Sequence, residues 1–174
     1  MYEKSILIME NVNVDIDDGK VKVSGPKGTL EKSFKLKNIA IEKVDNKIKV
    51  SSESDKRTYR ALVGTILAHI RNMMIGVTKG YTYKLKVVFS HFPVTVKVDK
   101  DKVLIQNFLG ERKPRVAKIV GNAQVKVDGQ DITVTGIDID EVSQTASNIE
   151  LACRITGYDR KIFQDGIWIV SKGD

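Results

Sequence analysis

Apolar and polar residues alternate through the first part of this chain. Val12, Val14 and Ile16 alternate with polar neighbours, and Val21 and Val23 do so beyond Asp18-Gly19. Alternation on both sides of Asp-Gly predicts a β-hairpin. Asp15, Asp17 and Asp18 belong to that turn, because the spacing and distal glutamate of a calcium loop are missing. Gly25-Pro26-Lys27-Gly28 breaks the pattern and leads into strands at Leu30–Leu36 and Ile39–Val44. Asp45-Asn46 then turns the chain into Ile48–Val50. Ser52-x-x-Asp55 reads as a capping box. Behind it, Tyr59, Leu62, Val63, Ile66, Leu67, Ile70, Met73 and Met74 recur at helical spacing, up to a stop at Gly76.

The same order returns after a join at Thr78-Lys79-Gly80. A strand spans Tyr81–Phe89, with Tyr81, Tyr83, Leu85 and Val87 on one side and Lys84 and Lys86 on the other. Val94, Val96 and Val98 alternate, as do Val103 and Ile105. Gly110 opens a loop. Val125 and Val127 pair across Asp128-Gly129 with Ile132 and Val134. Asp138-x-x-Glu141 caps a second helix, with Val142, Ala146, Ile149 and Cys153 on its stripe and Gly157 at its end. Gly28 matches Gly110, Asp45 matches Asp128, Val50 matches Val134 and Leu67 matches Leu151. This is an internal duplication by pattern. The predicted fold class is α+β: two tandem copies of a small antiparallel sheet packed with one helix, over residues 1–79 and 80–174.

Hydrophobic residues make up 41% of 174 positions, enough for two small cores. The most apolar run, Leu62–Ile70, is interrupted by Gly64, Thr65 and His69, so no membrane span is expected. The start of the chain lacks the pattern of a signal peptide. A single cysteine, Cys153, forms no internal disulfide and reads as a small core side chain. The expected location is cytosolic. The net charge of +7 favours a polyanion partner. Residues 1–80 carry 15 Lys/Arg and 10 Asp/Glu, residues 81–174 carry 14 and 12. Count favours the first half, but Arg112, Lys113, Arg115, Lys118 and Lys126 follow one another without an acid. Clustering decides a local potential, since charges act over about 8–10 Å.

Catalytic chemistry is missing from the sequence. His69 lies beside a helix stripe and His91 lies in a turn. No Ser–His–Asp or Cys–His arrangement and no zinc spacing can be drawn. Gly76-Val77-Thr78-Lys79-Gly80 lacks the form of a phosphate loop. Asp138, Asp140 and Glu141 are explained by a helix start. Neither an enzyme nor a cofactor is expected.

Three groups carry binding chemistry. One is the loop with Phe108, Arg112, Lys113, Arg115 and Lys118, for which the alternative is a solvated basic loop. The next is the segment after the second helix, with Arg154, Tyr158, Arg160, Lys161 and Gln164. Its neighbours Phe163 and Trp168 are expected in the core. The last is Lys84, Lys86, Ser90, His91 and Lys97 on neighbouring strands, for which the alternative is the polar face of a sheet. Cations meet phosphates, and rings and guanidinium planes stack on bases. The aromatic signature of an RNA-recognition sheet is missing, which points to folded RNA gripped by loops at one end of the second module.

QTASNIE followed by GYDRKIFQDGIWIVSK resembles the C-terminal signature of the L-six family of large-subunit ribosomal proteins in its archaeal and eukaryotic form. VSGPKGTLEKSF, FSHFPVTV and NFLGER follow the family's order, so the resemblance covers the chain. The Gly- and Lys-rich tail of bacterial members is absent, which suggests the archaeal type. The resemblance implies a structural component of the large ribosomal subunit, with two copies of one α/β module. It implies binding of large-subunit rRNA near the stalk base and the sarcin–ricin loop, mainly through the second copy. Neighbouring large-subunit proteins, and proximity to translation factors, are the implied partners; no membrane is. Arg112–Lys118, Arg160 and Lys161 carry over as rRNA-binding positions. Trp168 stands where many members have tyrosine. The alternative is a protein-interaction module for translation factors or stalk proteins.

Overall fold

In the computed structural model, which describes residues 1–173, strand alternation is converted into two buried faces per unit. The chain separates into Met1–Gly80 and the part from Tyr81 onward. The first unit holds β1 (Tyr2–Leu7), β2 (Asn13–Asp17), β3 (Lys20–Gly25), β4 (Gly28–Ser33), β5 (Ile39–Val44), β6 (Lys47–Ser52) and α1 (Arg57–Thr78). β2-β3-β4 form one antiparallel sheet and β1-β6-β5 another. The β2–β3 register sets Val14 opposite Val23 and Ile16 opposite Val21. Period-two geometry then sends these side chains to one face, where Val14, Val21 and Val23 are buried. Ile48 and Val50 do the same on β6. α1 closes the core with Val63, Ile66, Ile70, Met73, Met74 and Val77.

The helix departs from expectation at both ends. Ser52 ends β6, and its Oγ accepts from the Ser54 N–H at 3.3 Å instead of capping α1. The helix starts after Lys56 with no side-chain cap, and it runs past Gly76 to Thr78. It is 22 residues long with a window of mean hydropathy 1.3, which meets the length and composition of a membrane span. Its apolar stripe is instead buried on its own sheets, and His69 sits beside Phe34, ring centroids 6.0 Å apart.

The second unit repeats the order: β7 (Tyr81–Val88), β8 (Thr95–Asp99), β9 (Lys102–Gln106), a 3-10 turn (Phe108–Gly110), β10 (Arg115–Lys118), β11 (Gln124–Asp128), β12 (Asp131–Gly136), α2 (Ile139–Ala152) and β13 (Gly166–Lys172). Its sheets are β10-β9-β8 and β11-β12-β7-β13. The pairing β5-β6-β1 therefore recurs as β11-β12-β7. One hydrogen bond recurs as well, Ile8 N–H to Asn46 O at 2.9 Å and Val87 N–H to Gln130 O at 2.8 Å. The proposed match of Leu67 with Leu151 fails, because Leu67 is buried and Leu151 is exposed. β1 and β10 are strands that the pattern along the sequence does not announce. β10 lies inside the stretch taken for a basic loop, where Ala117 alone turns fully inward. Asp138 Oδ1 caps α2 through the Asp140 N–H at 3.0 Å, and α2 ends at Ala152, before Gly157.

Candidate nucleic-acid interface

Three loop segments meet in the second unit because side chains tie them together. The SHFP turn after β7 is held by the 3-10 turn, whose Asn107 Nδ2 donates to the Pro93 carbonyl at 2.9 Å. The segment after α2 is held to the same turn by Asp165, only 1% exposed. Its carboxylate accepts from the Ser90 hydroxyl at 3.1 Å and the Ser90 N–H at 3.4 Å, and lies 3.2 Å from His91 Nδ1. Burial alone would raise the Asp165 carboxyl, but the hydrogen bonds from His91 and Ser90 outweigh it and hold the group below its ordinary range. His91 then stacks on Phe163 at 4.5 Å, and Tyr158 tilts against the same Phe163 ring at 4.7 Å.

Arg115 makes the third tie. Its guanidinium grips both oxygens of Glu111 at 2.7 and 2.9 Å. It also donates to the carbonyls of Ala152 and Arg154 at 3.1 and 2.8 Å, at the open end of α2. The same group lies 4.5 Å from the centroid of the Phe108 ring. These contacts engage four of the five N–H donors of the guanidinium.

A cavity of about 680 Å³ opens beside this framework. Arg154, Arg160, Gln164 and Phe163 line it from the segment after α2, and Trp168 and Gly166 from β13. Trp168 is 49% exposed. A Cβ on Gly166 would meet the indole at 3.1 Å, so glycine lets the ring lie close over the backbone. Lys86 is the cross-strand neighbour of Trp168, and Lys84 that of Ser171. Trp168 thus joins the cavity to the lysine-bearing outer face of the sheet.

The structure sorts the expected residues. Arg154, Arg160 and Gln164 converge on one cavity, with Lys84 and Lys86 adjoining through Trp168. Tyr158 and Lys161 are exposed on the same segment, which is braced when Asp159 accepts from the Lys161 N–H at 2.9 Å. Arg112 and Lys113 are exposed in the bend before β10, and Lys118 at its far end. Phe108, 1% exposed, is core and is withdrawn as a stacking residue. Arg115 is withdrawn as a phosphate ligand, since four of its five donors are already engaged within the protein. His91 belongs to the internal brace. Lys97 lies on β8, in a different sheet from Lys84 and Lys86, so the three are not on neighbouring strands. Trp168 was expected in the core; it faces out because Ile167 and Ile169 take the inward positions of β13. Asp165 is absent from the expected residues, because a lone carboxylate beside a glycine gives no sign in the sequence of its buried bracing role. Cys153 is buried, and that burial pushes its thiol up to about 12, which leaves no nucleophile there.

The duplicated α+β chain thus sets cations and one indole at the edge of an open cavity in its second unit. A family model described as ribosomal protein L6 matches residues 8–80 and again 92–166, so the chain belongs to the ribosomal protein L6 family. The large ribosomal subunit protein uL6 of Sulfurisphaera tokodaii is 52% identical over 173 residues, 99% of this chain and 92% of that protein. Its counterpart in Staphylothermus marinus is 52% identical over 178 residues, 100% of this chain and 96% of that one. That of Methanobrevibacter smithii is 47% identical over 169 residues, 97% and 95%. The repeated match accords with the duplicated α+β fold, and membership agrees with the expectation of a non-enzymatic protein.

Proposed function

We propose that this chain is a structural protein of the large ribosomal subunit, working in the cytoplasm, and that it binds large-subunit rRNA through the second unit. The names of its relatives support the assembly, and one observation supports the surface: Arg154, Arg160 and Gln164 share a cavity with half-exposed Trp168. A backbone phosphate meets the guanidinium groups while a base stacks on the indole. The resemblance supports contact near the stalk base and the sarcin–ricin loop, among neighbouring ribosomal proteins and close to translation factors.

The test is a salt titration of binding to a large-subunit rRNA fragment. Log affinity falls linearly with log salt, and the double change Arg160→Glu with Lys161→Glu lowers the slope by about 1–2. It weakens binding roughly 10- to 100-fold at fixed salt while circular dichroism stays unchanged. Undiminished affinity in the folded variant would place the RNA elsewhere.

A further inference from the structure

The two units differ by one strand. β13 seals the outer edge of β7, whereas among the described residues no strand pairs with the matching edge of β1. The shared bond from Ile8 or Val87 aligns the two strands, Ile6 with Leu85, Lys4 with Tyr83 and Tyr2 with Tyr81. Alternate residues of an antiparallel strand turn their N–H and C=O to opposite neighbours. On β7 the outward groups are those of Thr82, Lys84, Lys86 and Val88, and β13 with Gly173 meets them. On β1 the matching groups are those of Glu3, Ser5 and Leu7. The side chains feel the difference: Tyr81, Tyr83 and Leu85 are buried, while their counterparts Tyr2 and Ile6 are half-buried and Lys4 is exposed; Leu7, like its counterpart Lys86, lies on the other face, 61% exposed.

The helices keep the same seat. Their buried stripes align Ile70 with Ile149 and Met74 with Cys153, which sets Arg71 where Glu150 stands. Glu150 Oε1 accepts from the Ile169 N–H of β13 at 3.4 Å. In the first unit this place is a cavity of about 730 Å³ between Ser5 and Leu7 of β1 and Arg71 and Ile75 of α1, with Lys47 and Lys79 also lining it. We propose that the β1 edge docks an extended segment of a protein partner, which joins the sheet as an antiparallel fourth strand in the position β13 holds in the twin unit.

The chemistry of that segment follows from the seat. Its alternate residues are apolar, facing Met74 and Ile75. It carries a carboxylate, because Arg71, unlike Glu150, can only donate. Lys4 on the helix side guards the edge against indiscriminate strands and adds a second call for an acid. Every residue involved precedes Gly80, so variants of this edge leave the proposed RNA-binding residues of the second unit unchanged.

The experiment uses the full chain and a synthetic capped peptide of about seven residues, alternating isoleucine and threonine between terminal glutamates. Hydrogen exchange is followed at single amides. The expected result is slowing of about 10-fold or more at Ser5 and Leu7 with saturating peptide, and no effect of a scrambled peptide. Ser5→Pro, tolerated on an edge strand, weakens binding about 10-fold. Arg71→Glu weakens it about as much and transfers preference to a lysine-ended peptide, which keeps the question open to a result should Ser5→Pro unfold the unit. Unchanged exchange at Ser5 and Leu7, or equal effects of the scrambled peptide, would overturn the proposal. So would concentration-dependent protection without peptide, which would make a second copy the occupant.

Discussion

Arg115 and Arg160 are the same residue type in opposite roles, and their surroundings decide which. Arg115 is enclosed by a carboxylate, two carbonyls and a ring, so its hydrogen bonds hold loops together. Arg160 is exposed and lines the cavity, and no ion pair among the described residues engages it. Aromatic residues divide the same way. Phe108→Ala should lower stability by about 3 kcal/mol in urea unfolding. Trp168→Ala should leave the melting midpoint nearly unchanged and weaken RNA binding by about 1–3 kcal/mol, the worth of one stacked base. Asp165 gives a pH signature. Its folded pKa is depressed, so it adds stability above its unfolded pKa of roughly 3.9 and loses it as pH falls through the lower folded value. In urea unfolding, the gap between the parent chain and Asp165→Asn should be full at neutral pH, begin to shrink below about pH 4, and close in stronger acid. A gap that is constant across that range would remove the brace from the carboxylate.

Elements were legible where local pattern sufficed. The Asp18-Gly19 hairpin formed as read, with strands ending at Asp17 and starting at Lys20, because two-residue turn chemistry and alternation agree. Of the cavity, Arg154, Arg160 and Gln164 were visible as a cationic segment. Trp168 departs from the expected core position, and period-two alternation beside Ile167 and Ile169 is what turns it outward. What was not legible is non-local. β1 pairs with β6 across the length of the unit, so no turn announces it. Lys97 was grouped with Lys84 because sequence order hides which sheet a strand joins. The ends of α1 were misread because tertiary contacts carry the helix past Gly76. Lys27 N–H donates to the Val77 carbonyl at 2.9 Å, holding the last turn against the β3–β4 hairpin. A Cβ on Gly25 would lie 2.7 Å from Val77 Cγ2 and 2.8 Å from its carbonyl oxygen. Backbone cannot yield as a flexible side-chain end can. Gly25→Ala should therefore cost about 1–3 kcal/mol, read as faster amide exchange in β3 and the last turn of α1.

Across the whole chain, the larger charge excess and the proposed RNA site fall in different units, and pairing explains how that can be. Lys20, Lys35, Lys49 and Arg60 in the first unit each hold a carboxylate, of Glu31, Asp18, Glu3 and Asp55. Such exposed pairs contribute little stability, but each replaces a bare cation by a short dipole whose field fades quickly. Net charge is unchanged while local potential is flattened. In the second unit Arg112, Lys113, Arg154, Arg160 and Lys161 have no such partner among the described residues, and phosphate can approach them directly. Changing Lys20, Lys35 and Lys49 together to glutamine should thus alter rRNA affinity by less than about threefold at moderate salt and leave the salt slope within about one unit. Changing Arg160 and Lys161 to glutamine instead removes two charges against three and should do far more. Filter binding of both variants over one salt series decides between them: equal losses would mean that total charge, and not the cavity beside Trp168, sets the affinity.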